Sequence, residues 1–219
     1  MIHHAILMWE FGNEYNYHPE WFGGNVDTWY KILQKTAQTA KSIDSGHPVS
    51  SAHGEAPSQG LMNRFKNYID IWGLNVYRGS TIPVLDIPYY ISETGDISSS
   101  AINEDVQAQT TVRLWNAVNG QSSAANPNKK CIGVTFMTAK EEWWKAGSPS
   151  KQDRNIEEYL GWLKIDGAPK KVYEMMKKEW TGVREEKKVP AQPQQPDKKI
   201  TPKKATQPVQ PLLVTIAKP

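Results

Sequence analysis

Cysteine is almost missing from this sequence. One residue, Cys131, stands among 219, so no internal disulfide can form and a disulfide framework is excluded. No apolar run approaches the roughly 20 residues of a membrane span, and membrane insertion is not expected. Residues 1–9 lack a basic segment and a cleavage site, so they do not read as a signal peptide. A strong charge of one sign is also lacking. The formal net charge is only +3, and the excess sits in the C-terminal tail, which leaves no case for a nucleic-acid surface. Zinc-protease and phosphate-loop patterns are absent, and the reading includes no metal and no cofactor. His3 and His4 do not change that, because neighbours on a strand face opposite sides.

Tryptophan, by contrast, is plentiful. Nine residues fit either an aromatic core or stacking platforms for a flat ligand face such as a sugar ring. The length allows one sizeable core or two small ones. Residues 1–182 read as globular. Residues 183–211 are Pro, Lys and Gln with hardly an apolar side chain, and read as a solvated linker. Residues 212–219, "PLLVTIAKP" without its first Pro, read as the start of a further module.

Within residues 1–182 two patterns alternate. "HAILMWEFGNE" is an apolar run too short and too abruptly ended for a buried helix. "NVDTWYKILQKTAQTAKSID" places Val26, Trp29, Tyr30, Leu33, Ala37 and Ala40 at helical spacing. "HPVSSAH" is a weak strand, "GLMNRFKNYI" a short helix, and "DIWGLNVY" and "IPYYISETG" are buried strands. "NEDVQAQTTVRLWNAVNG" predicts a helix with Val106, Leu114 and Val118 on one face. A fifth strand centres on Ile132 to Met137. "APKKVYEMMKKEW" closes with a helix that buries Val172, Tyr173, Met176 and Trp180. Strand and helix in alternation argue for an α/β fold with a parallel sheet and crossover helices.

In such folds the strand C-termini converge on the ligand site. Here they carry Asn13 and Glu14, then His53, then Asn75 and Tyr77, then Glu93, then the Glu141 to Trp144 cluster. Carboxylates, amides, phenol and indole together suit a sugar. Glu14 and Glu93 each end an apolar run and are followed by turn-forming residues. Cleaving a glycosidic bond with retention needs two such carboxyl groups roughly 5 to 5.5 Å apart, one to donate a proton and one to attack the anomeric carbon. Their protonation states must be pushed apart. Glu10, inside the first strand, is expected to pair with a basic neighbour or face the helix layer. His53 and Glu55 lie at the rim after the second strand.

These segments resemble the C-terminal portion of a clan A retaining glycoside hydrolase, and within that clan the family 2 type of TIM barrel is the most similar. "HHAILMWEFGNE" matches barrel strand four with its terminal "GNE", "DIWGLNVY" strand six, "PYYISETG" strand seven, and "EEWWKAG" the segment after strand eight. The resemblance implies a partial (β/α)8 barrel of strands four to eight, hydrolysing a β-linked oligo- or polysaccharide. It implies Glu14 as acid/base and Glu93 as nucleophile, with Asn13 on the sugar 2-hydroxyl and Tyr77 hydrogen-bonded to the nucleophile. Trp143 or Trp144 would form the aromatic floor. His53 and Asn75 would be further sugar contacts. Relatives often carry Asp where this chain has Glu141.

A complete barrel has eight βα units, so the resemblance implies that strands one to three are missing and two sheet edges stand open. Three functions fit: a retaining glycosidase, a catalytically inactive carbohydrate-binding remnant, and a transglycosylase on the same scaffold. The tail suggests a secreted or periplasmic parent protein, by analogy alone.

Overall fold

The computed structural model describes residues 5–77, 81–96 and 102–182. His3, His4, the linker and residues 212–219 lie outside them. Five strands form one all-parallel sheet in sequential order: β1 (Trp9–Asn13), β2 (Val49–His53), β3 (Ile71–Tyr77), β4 (Tyr89–Gly95) and β5 (Cys131–Phe136). The helices are α1 (Val26–Ile43), α2 (Gln59–Phe65), α3 (Glu104–Gly120) and α4 (Lys171–Thr181). Short 3-10 turns occupy Tyr15–Tyr17, Pro19–Phe22 and Ile156–Tyr159. No described helix is long and apolar enough to cross a membrane.

Local chemistry sets the helix starts. Asn25, Ser58 and Asn103 each accept a backbone N–H of the first turn of α1, α2 and α3, filling donors that a helix end leaves without partners. Helix α4 stops at Gly182, which takes the left-handed conformation with φ 66°.

Alternation along the strands divides the sheet into two faces. Val49, Trp72, Leu74, Tyr89 and Ile91 pack with Leu33 and Ala37 of α1 and Phe65 of α2 in one core. Each fully buried Val, Leu, Ile or Phe among them stabilises by about 1.5–3 kcal/mol. A second cluster beside β5 joins Ala108 of α3 to Val172 and Met176 of α4, with Trp115, Phe136, Trp162 and Trp180 around it. The opposite face carries Glu10, Ser50, Asn75, Tyr90 and Ser92, which hydrogen-bond among themselves.

Three sequence expectations are corrected here. Among the described residues Glu10 meets no basic partner, and it does not face the helices: it accepts from Ser50 Oγ and Tyr90 OH on the polar face. The buried stripe of α3 is Gln107, Ala108, Thr111 and Val118, while Val106 and Leu114 are only half-buried. Gln107 is tolerated there because its Nε2 reaches the carbonyls of Tyr159, Leu160 and Gly161 at 3.1, 3.0 and 3.3 Å. Tyr173 of α4 is exposed.

The two edge strands each border an apolar cleft. One, of about 480 Å³, lies between Trp9 and Phe11 of β1 and Lys35 to Asp44 of α1. The other, of about 470 Å³, lies between β4, β5 and α4.

Candidate active site

The site forms where β1, β3 and β4 end. Residue Gly12 has φ +79°, and a Cβ there would fall 2.4 Å from Trp29 Cζ2. Only glycine fits that approach. It lies within an irregularity of the ladder, since four residues of β1 (Glu10 to Asn13) span three of β2 (Ser50 to Ala52). Glu14 follows with φ 56° and ψ 18°. Among the described residues it is the one non-glycine with positive φ. That conformation costs of order 1–3 kcal/mol and persists where the surroundings enforce it, commonly at functional sites.

Strand β4 carries one extra residue against β3, and against β5 its register shifts twice. Leu74 and Asn75 of β3 pair with Ile91 and Glu93, and Ile91 to Thr94 spans only Val134 to Phe136 of β5. Tyr89 and Ile91 point to the helices, so plain alternation would send Glu93 there as well. The bulge at Ser92 turns Glu93 onto the polar face instead, a common device for re-aiming a side chain beside a site.

Asn75 ties these elements together. Its Nδ2 donates to Asn13 Oδ1 at 3.0 Å and to Glu14 Oε1 at 2.9 Å. Its Oδ1 accepts from Ser92 Oγ at 2.7 Å. The side chain is 4% exposed, so this amide positions its neighbours and is itself taken up by protein groups. Asn75 is also the register partner of Glu93, which brings both glutamates to one residue. Tyr77 OH donates to Glu93 Oε2 at 2.9 Å and lies 2.7 Å from Met137 Sδ. Burial, then the Glu93 charge, push the phenol well above its ordinary range. It therefore stays protonated and acts as a donor.

His53 belongs elsewhere. It is 2% exposed, packed between the rings of Tyr30 at 5.9 Å and Trp72 at 4.9 Å. The expected sugar contact is corrected: His53 alternates with Ser50 and Ala52 and so points to the helices. Trp143 and Trp144 meet edge to face at 4.6 Å, with Trp144 exposed and Trp143 half-buried. Their loop is pinned by Glu141, which accepts from Lys170 Nζ at 2.9 Å and Gln152 Nε2 at 3.0 Å. The cleft beside Glu93 is lined by other aromatic residues, namely Phe136, Trp162, Tyr173 and Trp180. The sequence reading assigned none of these four to the site. Its volume of about 470 Å³ lies in the range of small-molecule sites. Among the described residues no cluster of metal-ligating side chains occurs.

No family model matches the chain, and no curated protein does. Solved structures do match. A GH2 β-galacturonidase from Eisenbergiella tayi, bound to glycerol, is 20% identical with a TM-score of 0.51 over 83% of this chain and 34% of its own. An FMN-binding β-glucuronidase from Facaelibacterium prausnitzii L2-6 is 17% identical with a TM-score of 0.53, over 77% and 28%. A protein assigned as a β-galactosidase from Bacteroides fragilis is 16% identical with a TM-score of 0.56, over 82% and 28%. The chain has a glycoside hydrolase-like fold. It spans about a third or less of the length of these proteins, and identities this low speak to the fold alone.

Proposed function

We propose that this chain carries the two catalytic carboxyl groups of a retaining glycoside hydrolase acting on a β-linked saccharide, with Glu14 as acid/base and Glu93 as nucleophile. The observation that carries the reading is the convergence of both glutamates on Asn75. Glu14 is hydrogen-bonded to that amide, and Glu93 is its register partner. The left-handed backbone at Glu14 and the bulge at Ser92 both serve to aim these two side chains. In this reading the five strands are strands four to eight of a (β/α)8 barrel. The cleft along β1 is then a surface on which further βα units pack.

Chemistry follows from the donors. Tyr77 donates a neutral hydrogen bond to Glu93 Oε2, leaving Oε1 to attack the anomeric carbon. Asn75 donates to Glu14 Oε1, an atom a protonated carboxyl also offers as acceptor. Oε2 then holds the proton passed to the leaving oxygen and later takes one from water. Asn13 points its Oδ1 at Asn75, so its N–H groups remain for the sugar 2-hydroxyl. That contact strengthens in the transition state.

The test is turnover of a panel of aryl β-glycosides by this chain. Glu93→Ala should lower turnover by about 10^4-fold or more. Added azide should restore it with an α-glycosyl azide as product, whereas Glu14→Ala with azide should give the β-anomer. Turnover that survives in Glu93→Ala removes the nucleophile assignment. Sugar affinity without turnover in the unaltered chain selects a carbohydrate-binding remnant.

A further inference from the structure

Glu10 and Tyr90 meet across the sheet although their strands are not neighbours. They stand on β1 and β4, with β2 and β3 between them. At about 4.8 Å per strand, a flat sheet would hold those two backbones roughly 14 Å apart. Side chains stand roughly perpendicular to a sheet, so they meet over such a gap only where the sheet curls toward them. Tyr90 OH donates to Glu10 Oε2, and Ser50 Oγ of β2 donates to the same oxygen at 3.1 Å. Small residues leave the gap open. On that face β2 offers Ser50 and Ala52, and β3 offers Gly73, the register partner of both Ala52 and Tyr90. Burial, then the Glu10 charge, raise the Tyr90 phenol, which keeps it protonated and a donor.

This contact lies one layer beneath the two glutamates. Glu10 precedes Glu14 by four residues on β1, and Tyr90 precedes Glu93 by three on β4. Between the contact and each glutamate the ladder slips. The β1 shift falls between Glu10 and Asn13, and a β4 shift falls between Ile91 and Glu93. Backbone pairing is thus irregular at the step that aims each carboxylate. Strand β1 is also an edge, paired among the described residues on one side only. Two side-chain links bracket the slips. Above them Asn75 joins Asn13 and Glu14 of β1 to Ser92 of β4. Below them Glu10 and Tyr90 join the same two strands directly. Retention needs the two carboxyl groups roughly 5 to 5.5 Å apart, and a misplacement of about 1 Å can cost about 100-fold in rate.

We propose that Glu10 and Tyr90 are positioning residues whose bond across the sheet fixes the edge strand β1 against β4 and so holds Glu14 at its working distance from Glu93. This rests on the reading of Glu14 as acid and Glu93 as nucleophile. Because β1 is the edge, losing the bond displaces Glu14, while Glu93 stays on an inner strand with Tyr77 on its Oε2. The experiment measures kcat for phenyl and dinitrophenyl β-glycosides of the sugar that the unaltered chain turns over fastest. Dinitrophenolate departs without a proton, so its rate reports the nucleophile. Phenolate needs the acid. Tyr90→Phe should lower kcat about 30-fold on the phenyl glycoside and by less than about fivefold on the dinitrophenyl glycoside. Glu10→Ala should repeat that split, and Glu10→Gln, which keeps an acceptor oxygen, should lose less than Glu10→Ala. Circular dichroism checks that each chain is folded. If the two larger changes unfold it, Glu10→Gln carries the same test, its phenyl rate falling more than its dinitrophenyl rate. Equal losses on both glycosides, or no loss on either, overturn the positioning role and leave the two glutamates standing. A folded, unaltered chain that turns over neither glycoside in any configuration overturns the glutamate reading and the positioning role with it.

Discussion

The molecule holds its carboxylates in two ways. At the strand ends, Glu14 and Glu93 are held by neutral donors, the amide of Asn75 and the phenol of Tyr77. In the segment between β5 and α4, Glu141 is held by a cation, with Lys170 Nζ at 2.9 Å and both side chains nearly buried. Among the described residues no ion pair involves Glu14 or Glu93. A neutral donor orients a carboxylate without cancelling its charge. A buried cation does cancel it, and the pair then fastens two pieces of chain. The first arrangement suits chemistry and the second suits architecture.

Breaking the second arrangement should give the largest stability effect. Lys170→Met strands the Glu141 charge in a dry site, and removing one partner of such a pair costs about 3–5 kcal/mol. Urea unfolding should register that loss. Lys170→Met combined with Glu141→Gln removes the stranded charge and should recover part of it. A loss below about 1 kcal/mol would mean that water reaches the pair and that the two regions treat charge alike.

His53 offers a third case, a titratable group buried on the helix face whose Nε2 has no hydrogen-bond partner. Burial holds its pKa at about 4, below the ordinary 6.5. As pH falls, the unfolded chain takes the proton first. The stability tied to the neutral ring is therefore complete above about pH 6.5 and is lost progressively down to about pH 4. The loss amounts to about 3 kcal/mol. Urea midpoints across that window should fall more steeply for the unaltered chain than for His53→Leu. Parallel slopes would show that the imidazole is not desolvated.

These three groups also show what the sequence could tell. Glu14 and Glu93 were legible because each ends an apolar run. His53 was misplaced because "VSSAH" offers no apolar contrast between its alternating positions, so the strand could not be phased. Glu93 shows the reverse. Phasing from Tyr89 and Ile91 points it at the helices, and only the extra residue at Ser92, a feature of the ladder and not of composition, turns it into the site. The strands and helices followed from short apolar runs and helical spacing, with β2 only weakly marked. The pairing of Asn75 with two partners 61 and 62 residues away is a product of register, which no local pattern encodes. The same holds for the Trp162 and Trp180 lining of the cleft, since both residues read equally well as core.

The smallest predicted effect tests the first arrangement directly. Tyr77→Phe deletes the neutral donor to Glu93 and keeps the ring. A hydrogen bond to a charged acceptor contributes about 1.5–3 kcal/mol, so kcat/KM should fall about 10- to 100-fold. The phenol stays protonated because burial and the Glu93 charge raise it, so the unaltered chain keeps this donor across the working pH range. Met137→Leu, which removes the other neighbour of the same hydroxyl, should change kcat/KM by less than about threefold, because a thioether accepts only weakly. If Tyr77→Phe left the rate in place, the neutral donor would be a packing contact. The distinction between strand-end and buried carboxylates would then rest on Asn75 alone.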